Sequence, residues 1–334
     1  MRHERGERLP PTIDIGGISI VGSINRRNGD CFSVKPHNSL MIVCDGLGGE
    51  SYPYVASLAA TQMLSKLLIE LTPNTPVNVA YGLIEKAFQD TPVWMEKYVT
   101  HTFNVLKTNG IEIKAAAEDV ATTVALAWVN PSEKKAVIAH VGDSRIAIIK
   151  ASPQHKVDFD YMTKDHNLLW LLESGLCDET YLDSSNLPPP FPGLALAVQK
   201  ASQDYEMIHE LAEWLKTAEG KASQYYYLYP FVNHLITWGA GSTSAISAKG
   251  FDSLEIEVVD LSDACGLIAC TDGLHRTLNH TQMRTSIHTS LLKGYDAYGI
   301  ARSLVFSTDT DNNRPYFSDD TTAAVYLLDR PSIK

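Results

Sequence analysis

The stretch Ser39-Leu-Met-Ile-Val-Cys-Asp-Gly-Leu-Gly-Gly49 decides how the chain is read. Ser39 to Cys44 is a short apolar run with β-branched residues, bounded by turn-forming residues, and a run of that length reads as a buried strand. Leu40, Met41 and Ile42 are therefore expected in the core. The strand ends on a carboxylate, Asp45, followed at once by glycine. The glycine lets the backbone turn sharply and frees its carbonyl to face whatever the carboxylate faces. The same Asp-Gly junction recurs at Asp272 in IACTDGL, and a third aspartate, Asp319, stands just before the closing strand in SDDTTAAVYLL. One Asp-Gly is an ordinary turn dipeptide. Three strand-end aspartates from distant parts of a chain would repel strongly unless a cation sat between them. Hard oxygen donors without a matching His or Cys cluster favour Mg²⁺ or Mn²⁺ over zinc.

Working outward, the 334 residues suggest roughly two domains by size alone, although β-rich single domains reach about 250 residues. Hydrophobic residues are 44% and charged residues 20%, enough for a sizeable core and against wholesale disorder. The net charge of −11 argues against a chain whose main task is coating nucleic acid or an anionic membrane. No apolar run approaches the roughly 20 residues of a membrane helix. The opening MRHERGERLPP, residues 1–11, is expected to be a mobile tail rather than a secretory signal. Five cysteines without a C-x-x-C pair point to reduced thiols and a cytoplasmic location.

Strands are expected at Thr12–Ile24, Ala121–Val129, Ala136–Val141, Ile146–Lys150, Val157–Met162, Leu254–Val259, Gly266–Cys270 and Thr322–Leu328. Val55, Ala59, Met63 and Leu67 recur at helical spacing, and Pro73 and Pro76 separate that helix from another over Val77–Leu106. Further helices are expected near Asp165–Gly175, His280–Leu292 and Ala297–Phe306. Gly142-Asp143-Ser144-Arg145 lies between two strands and reads as a hairpin turn. Residues 177–232, with a triple proline, a helical stretch and a tyrosine cluster, read as an insertion. Strands, inserted helices and strands again give an α+β sandwich of antiparallel sheets over 12–330.

The order of motifs resembles the metal-dependent protein phosphatases of type 2C. The parts are GSINRRNGD at 22–30, VCDGLGG at 43–49, ATTV at 121–124, HVGDSR at 140–145, TKDH at 163–166, HLITWGAG at 234–241, CTDGL at 270–274 and DDTTAAVYLL at 319–328. The resemblance implies a four-layer α-β-β-α sandwich with a flap-like insertion and two Mn²⁺ or Mg²⁺ ions at one end. Asp45 would bridge the ions, the Gly46 carbonyl would ligate one, and Asp272 and Asp319 would hold the other. Asp30 would orient the metal-bound water that attacks phosphorus, and Asp143 would help hold a weak third ion.

The chain departs from the family pattern around the phosphate. Asn25 stands where members carry an arginine, which leaves Arg26, Arg27 or Arg276 to grip phosphate. Gly29 removes a water-holding group, and Arg276 replaces an aspartate beside the third-ion site. Leu47 replaces a histidine that donates a proton in some members; His166 is expected to be structural, and Cys44 and Cys270 to be buried hydrophobes. The implied function is hydrolysis of phosphoserine and phosphothreonine in proteins, opposing a Ser/Thr kinase, without nucleic acid or membrane partners. The alternative is a weak or silent relative that binds a phosphorylated or regulatory partner.

Overall fold

The computed structural model describes residues 13–22, 27–47, 52–113, 116–117, 120–151, 157–163, 246–247, 254–307 and 319–328. Two antiparallel sheets form the centre. One has five strands in the order β1 (Asp14–Ile20), β12 (Thr321–Leu327), β11 (Ala264–Cys270), β7 (Arg145–Ala151), β8 (Val157–Tyr161). The other has the order β10 (Glu255–Asp260), β6 (Lys135–Val141), β5 (Val124–Asn130), β3 (Leu40–Leu47), β4 (Ala121–Thr122), β9 (Ile246–Ser247), with β2 (Asp30–Lys35) also paired to β3.

Three apolar clusters explain the layering. Alternate residues of β3 point to opposite sides of its sheet. Met41 and Val43 join Ile138, Ile148, Leu267 and Tyr326 between the sheets, while Leu40, Ile42 and Cys44 face the helices α1 (Pro53–Leu67) and α2 (Val77–Thr108). A third cluster packs α4 (His280–Leu292) and α5 (Ala297–Ser307) on the outer face of the five-stranded sheet. Because β3 is covered on both faces from Leu40 to Cys44, that part is continuously apolar rather than alternating. The expected four-layer α-β-β-α arrangement is what forms.

The expected hairpin at 142–145 does not form. β6 belongs to one sheet and β7 to the other, so Gly142, Asp143 and Ser144 carry the chain across the sandwich. Gly142 has φ 98, a conformation glycine adopts without steric penalty. A second difference concerns Asp45: β3 continues through it to Leu47, so Asp45 is paired in a sheet rather than released into a turn. The expectations for residues 1–11, Asp165–Gly175, the insertion 177–232 and the motif at 234–241 lie outside the described residues.

Candidate active site

The predicted aspartates come from strand ends that share one edge of the sandwich. β2 and β3 run antiparallel with Asp30 directly opposite Asp45. Asp272 opens the short helix α3 (Asp272–His275), immediately after β11, and Asp319 precedes β12. Asp143 enters from the sheet-to-sheet crossover.

Asp45 is held by its backbone. Its carbonyl accepts from Thr123 N at 2.8 Å and Thr122 Oγ1 at 2.7 Å, and its N–H donates to Thr123 Oγ1 at 3.0 Å. Thr123 interrupts the line from β4 to β5, and its hydroxyl also pairs with Ser144 Oγ at 2.6 Å. The ATTV motif thus anchors Asp45 and ties it to the crossover that carries Asp143. Gly46 N–H donates to the Gly29 carbonyl. A side chain on Gly46 would place its Cβ 2.1 Å from the Pro53 carbonyl oxygen.

Asp30 is buried. Its Oδ2 accepts from Oγ1 of Thr271, the residue before Asp272, at 2.8 Å and from Oγ1 of Thr322 in β12 at 2.7 Å, while its Oδ1 is buried without a hydrogen-bond partner. Loss of water is the main reason the Asp30 carboxyl rises well above the ordinary carboxylate range. The threonine hydroxyls oppose this, and Asp320 and Asp272 reinforce it. Asp45 is raised well above that range too, first by desolvation and then by Asp30, Asp272, Asp319 and Asp143. That list is the electrostatic signature of five carboxylates drawn to one place.

Arg276 lies within the group. Its Nη2 donates to Asp143 Oδ2 at 2.8 Å and its Nη1 pairs with Asp272 Oδ2. The neighbouring His275 Nε2 lies 3.0 Å from the Asp143 carbonyl oxygen. Among the described residues, no three His, Cys, Asp or Glu side chains form a group arranged to hold a metal ion. Mutual repulsion spreads the carboxylates, and the guanidinium draws Asp143 and Asp272 onto itself. Of the predicted phosphate-gripping residues, Arg27 is exposed, with Nη1 2.9 Å from Tyr54 Oη and its guanidinium over the Tyr54 ring. Arg26, Asn25 and His166 lie outside the described residues.

Asp320 was not singled out by sequence reasoning. Asp319 is exposed, but Asp320 is only 4% exposed, and its two oxygens accept from Gly22 N and Gly29 N, each at 2.6 Å. It therefore closes both ends of the segment that carries Arg26 and Arg27. Gly29 and Gly273 make room for it: a Cβ on Gly273 would lie 1.9 Å from the Asp320 carbonyl oxygen. The signal in the sequence was the Asp319-Asp320 pair itself, which does not say which carboxylate turns inward. Cys44 and Cys270 are buried as expected, and burial raises the Cys44 thiol well above its ordinary value.

This geometry can be set beside known proteins. The sequence profile of the family described as protein phosphatase 2C matches residues 25–168. The matched segment of the chain is thus similar to the protein phosphatase 2C family. A putative protein phosphatase of Mycoplasma genitalium is 29% identical over 169 residues, which is 50% of this chain and 59% of that relative's length. The Listeria monocytogenes serine/threonine phosphatase stp is 24% identical over 259 residues, covering 78% of this chain and 75% of that protein. The crystal structure of the serine/threonine phosphatase Stp1 from Staphylococcus aureus superposes with a TM-score of 0.62 at 16% identity, covering 98% of this chain and 100% of that one. The catalytic domain of the phosphatase PstP, in complex with two manganese ions, superposes with a TM-score of 0.54 at 15% identity over 94% of this chain and 97% of that one. These structural likenesses establish the protein phosphatase 2C fold, and no described helix is long and apolar enough to cross a membrane.

Proposed function

We propose that this chain is a protein phosphatase of the 2C type that hydrolyses phosphoserine and phosphothreonine in protein substrates, opposing a Ser/Thr kinase in the cytoplasm, with two Mn²⁺ or Mg²⁺ ions. The observation that carries the reading is the convergence of aspartates: Asp30 stands opposite Asp45 across β2 and β3, Arg276 holds Asp143 and Asp272 together, and desolvation together with the neighbouring aspartates pushes the Asp45 carboxyl up. Like charges gathered at one strand edge, with Asp30, Asp143 and Asp272 buried, are costly without cations, and their all-oxygen chemistry suits hard divalent metals. Asp45, the Gly46 carbonyl, Asp272 and Asp319 would hold the two ions. Bound there, the cations would lower the pKa of water toward neutrality and neutralise charge on the phosphoryl oxygens.

The chain's own residues supply the rest. Asp30, fixed at Oδ2 by Thr271 and Thr322, keeps Oδ1 available to accept a hydrogen bond from the attacking water and so orient it. Arg27, steadied by Tyr54, is the described cation best placed to grip phosphate, since the guanidinium of Arg276 is already engaged by two carboxylates. That same Arg276 pairing favours a second reading, a silent relative that binds phosphorylated partners. Hydrolysis of an aryl phosphate and a phosphothreonine peptide with Mn²⁺, repeated with EDTA and with Asp272→Asn, separates the two. Activity that both treatments abolish is expected. An inactive wild type across several divalent metals would favour the binding module.

A further inference from the structure

The position of Arg276 suggests more than a surface ion pair. Its guanidinium bridges two carboxylates that are each nearly buried, Asp143 at 5% and Asp272 at 4% exposure, and Asp272 belongs to the proposed metal set. Both contacts arise from one rigid fork, which suits paired oxygen acceptors and cannot lose its charge at any working pH. The backbone supports the same geometry. Arg276 N–H donates to the Asp272 carbonyl at 2.8 Å, and His275 reaches the Asp143 carbonyl, so the short helix α3 clamps the crossover turn from two adjacent residues. No described metal-binding group exists in this arrangement, and the two carboxylates nearest Arg276 are the ones turned toward it.

We infer that Arg276 is a built-in counter-cation that occupies the Asp143 side of the carboxylate group in place of a metal ion and competes with metal for Asp272. The inference rests on the metal reading proposed above. A fixed positive charge between Asp143 and Asp272 relieves their repulsion when no metal is present, and it holds Asp143 away from service as a ligand. Metal bound at Asp272 has to displace one arm of the fork or share that carboxylate with it. Arg276 therefore weakens cation binding while stabilising the metal-free fold, and it limits the number of ions the site takes.

Titration calorimetry of Mn²⁺ into the full chain tests this, together with thermal melts in EDTA and in excess Mn²⁺, for wild type, Arg276→Gln and Arg276→Lys. Losing one charge-assisted hydrogen bond to a competitor corresponds to about tenfold, so Arg276→Gln is expected to bind Mn²⁺ about tenfold more tightly or to take up an additional ion. In EDTA this variant melts below wild type, and Mn²⁺ raises its melting temperature more than that of wild type. Arg276→Lys keeps the charge but loses the fork. It folds even if the glutamine variant does not, and its affinity falls between the other two. Unchanged or weaker Mn²⁺ binding in both variants overturns the inference while leaving the metal reading standing. Absence of Mn²⁺ binding in wild type overturns the metal reading, and the inference with it.

Discussion

Asp30 and Asp45 face each other across the β2–β3 pair, and both carboxyls titrate above the ordinary carboxylate range. A carboxyl whose affinity for protons is higher in the folded than in the unfolded chain favours the fold at low pH. That contribution is present below the unfolded value and is lost as pH rises through the folded one. The metal-free protein should therefore melt at progressively lower temperature as pH is raised from about 4 toward neutrality. Asp30→Asn keeps an oxygen for Thr271 and Thr322 while removing the charge. Because the charged form is disfavoured at this buried position, the variant should be more stable than wild type at pH 7 in EDTA. Melts across pH check it, and a variant no more stable than wild type at pH 7 would show that repulsion at Asp30 is already relieved.

Thr123 accepts the Asp45 N–H and pairs with Ser144, joining β3 to the crossover. Thr123→Val keeps the shape and removes the acceptor. Losing a hydrogen bond at this part-buried donor costs on the order of 1 kcal/mol, which denaturant unfolding will measure. Phosphatase activity should fall as well, because Asp45 loses a fixed backbone.

Much of this was legible in the sequence, and the gaps have physical causes. The layers followed from apolar runs whose length and β-branching are local properties. Which sheet a strand joins is not local, and Gly142–Arg145 looked like a hairpin because a polar, glycine-led tetrapeptide between strands serves equally as a crossover. Asp319 and Asp320 are chemically identical neighbours. Only alternation about the start of β12 sends one outward and the other onto the Gly22 and Gly29 amides.

That burial gives Asp320 a testable role. Asp320→Ala orphans the Gly22 and Gly29 amides, each at a cost of about 1–3 kcal/mol, and frees the segment bearing Arg26 and Arg27. KM for a phosphopeptide should rise more than kcat falls, whereas an equal fall in kcat and kcat/KM would place its effect in the reacting geometry instead.

Gly46 and Gly273 sit where no side chain fits. A Cβ at Gly46 would approach the Pro53 carbonyl to 2.1 Å, and backbone cannot swing aside as a side chain can. Gly46→Ala should cost about 1–3 kcal/mol by overpacking, and it should also weaken Mn²⁺ binding because the Gly46 carbonyl is displaced. Calorimetry on the folded variant separates the two effects. A variant that is less stable but binds Mn²⁺ with wild-type affinity would remove Gly46 from the proposed ligand set.

Arg27 and Tyr54 form the last pair to test. The tyrosine supplies both a hydroxyl acceptor and a ring face to the guanidinium, so an otherwise flexible exposed side chain is held before substrate arrives. If Arg27 grips phosphate, Arg27→Ala should raise KM for a phosphopeptide by about tenfold or more, the scale of a lost charge-assisted bond, with kcat less affected. Tyr54→Phe keeps the ring and loses the hydroxyl, so its KM should rise by a smaller factor in the same direction. An unchanged KM in Arg27→Ala would reduce that arginine to a surface contact with α1 and pass the phosphate grip to Arg26, where Arg26→Ala should then show the full rise.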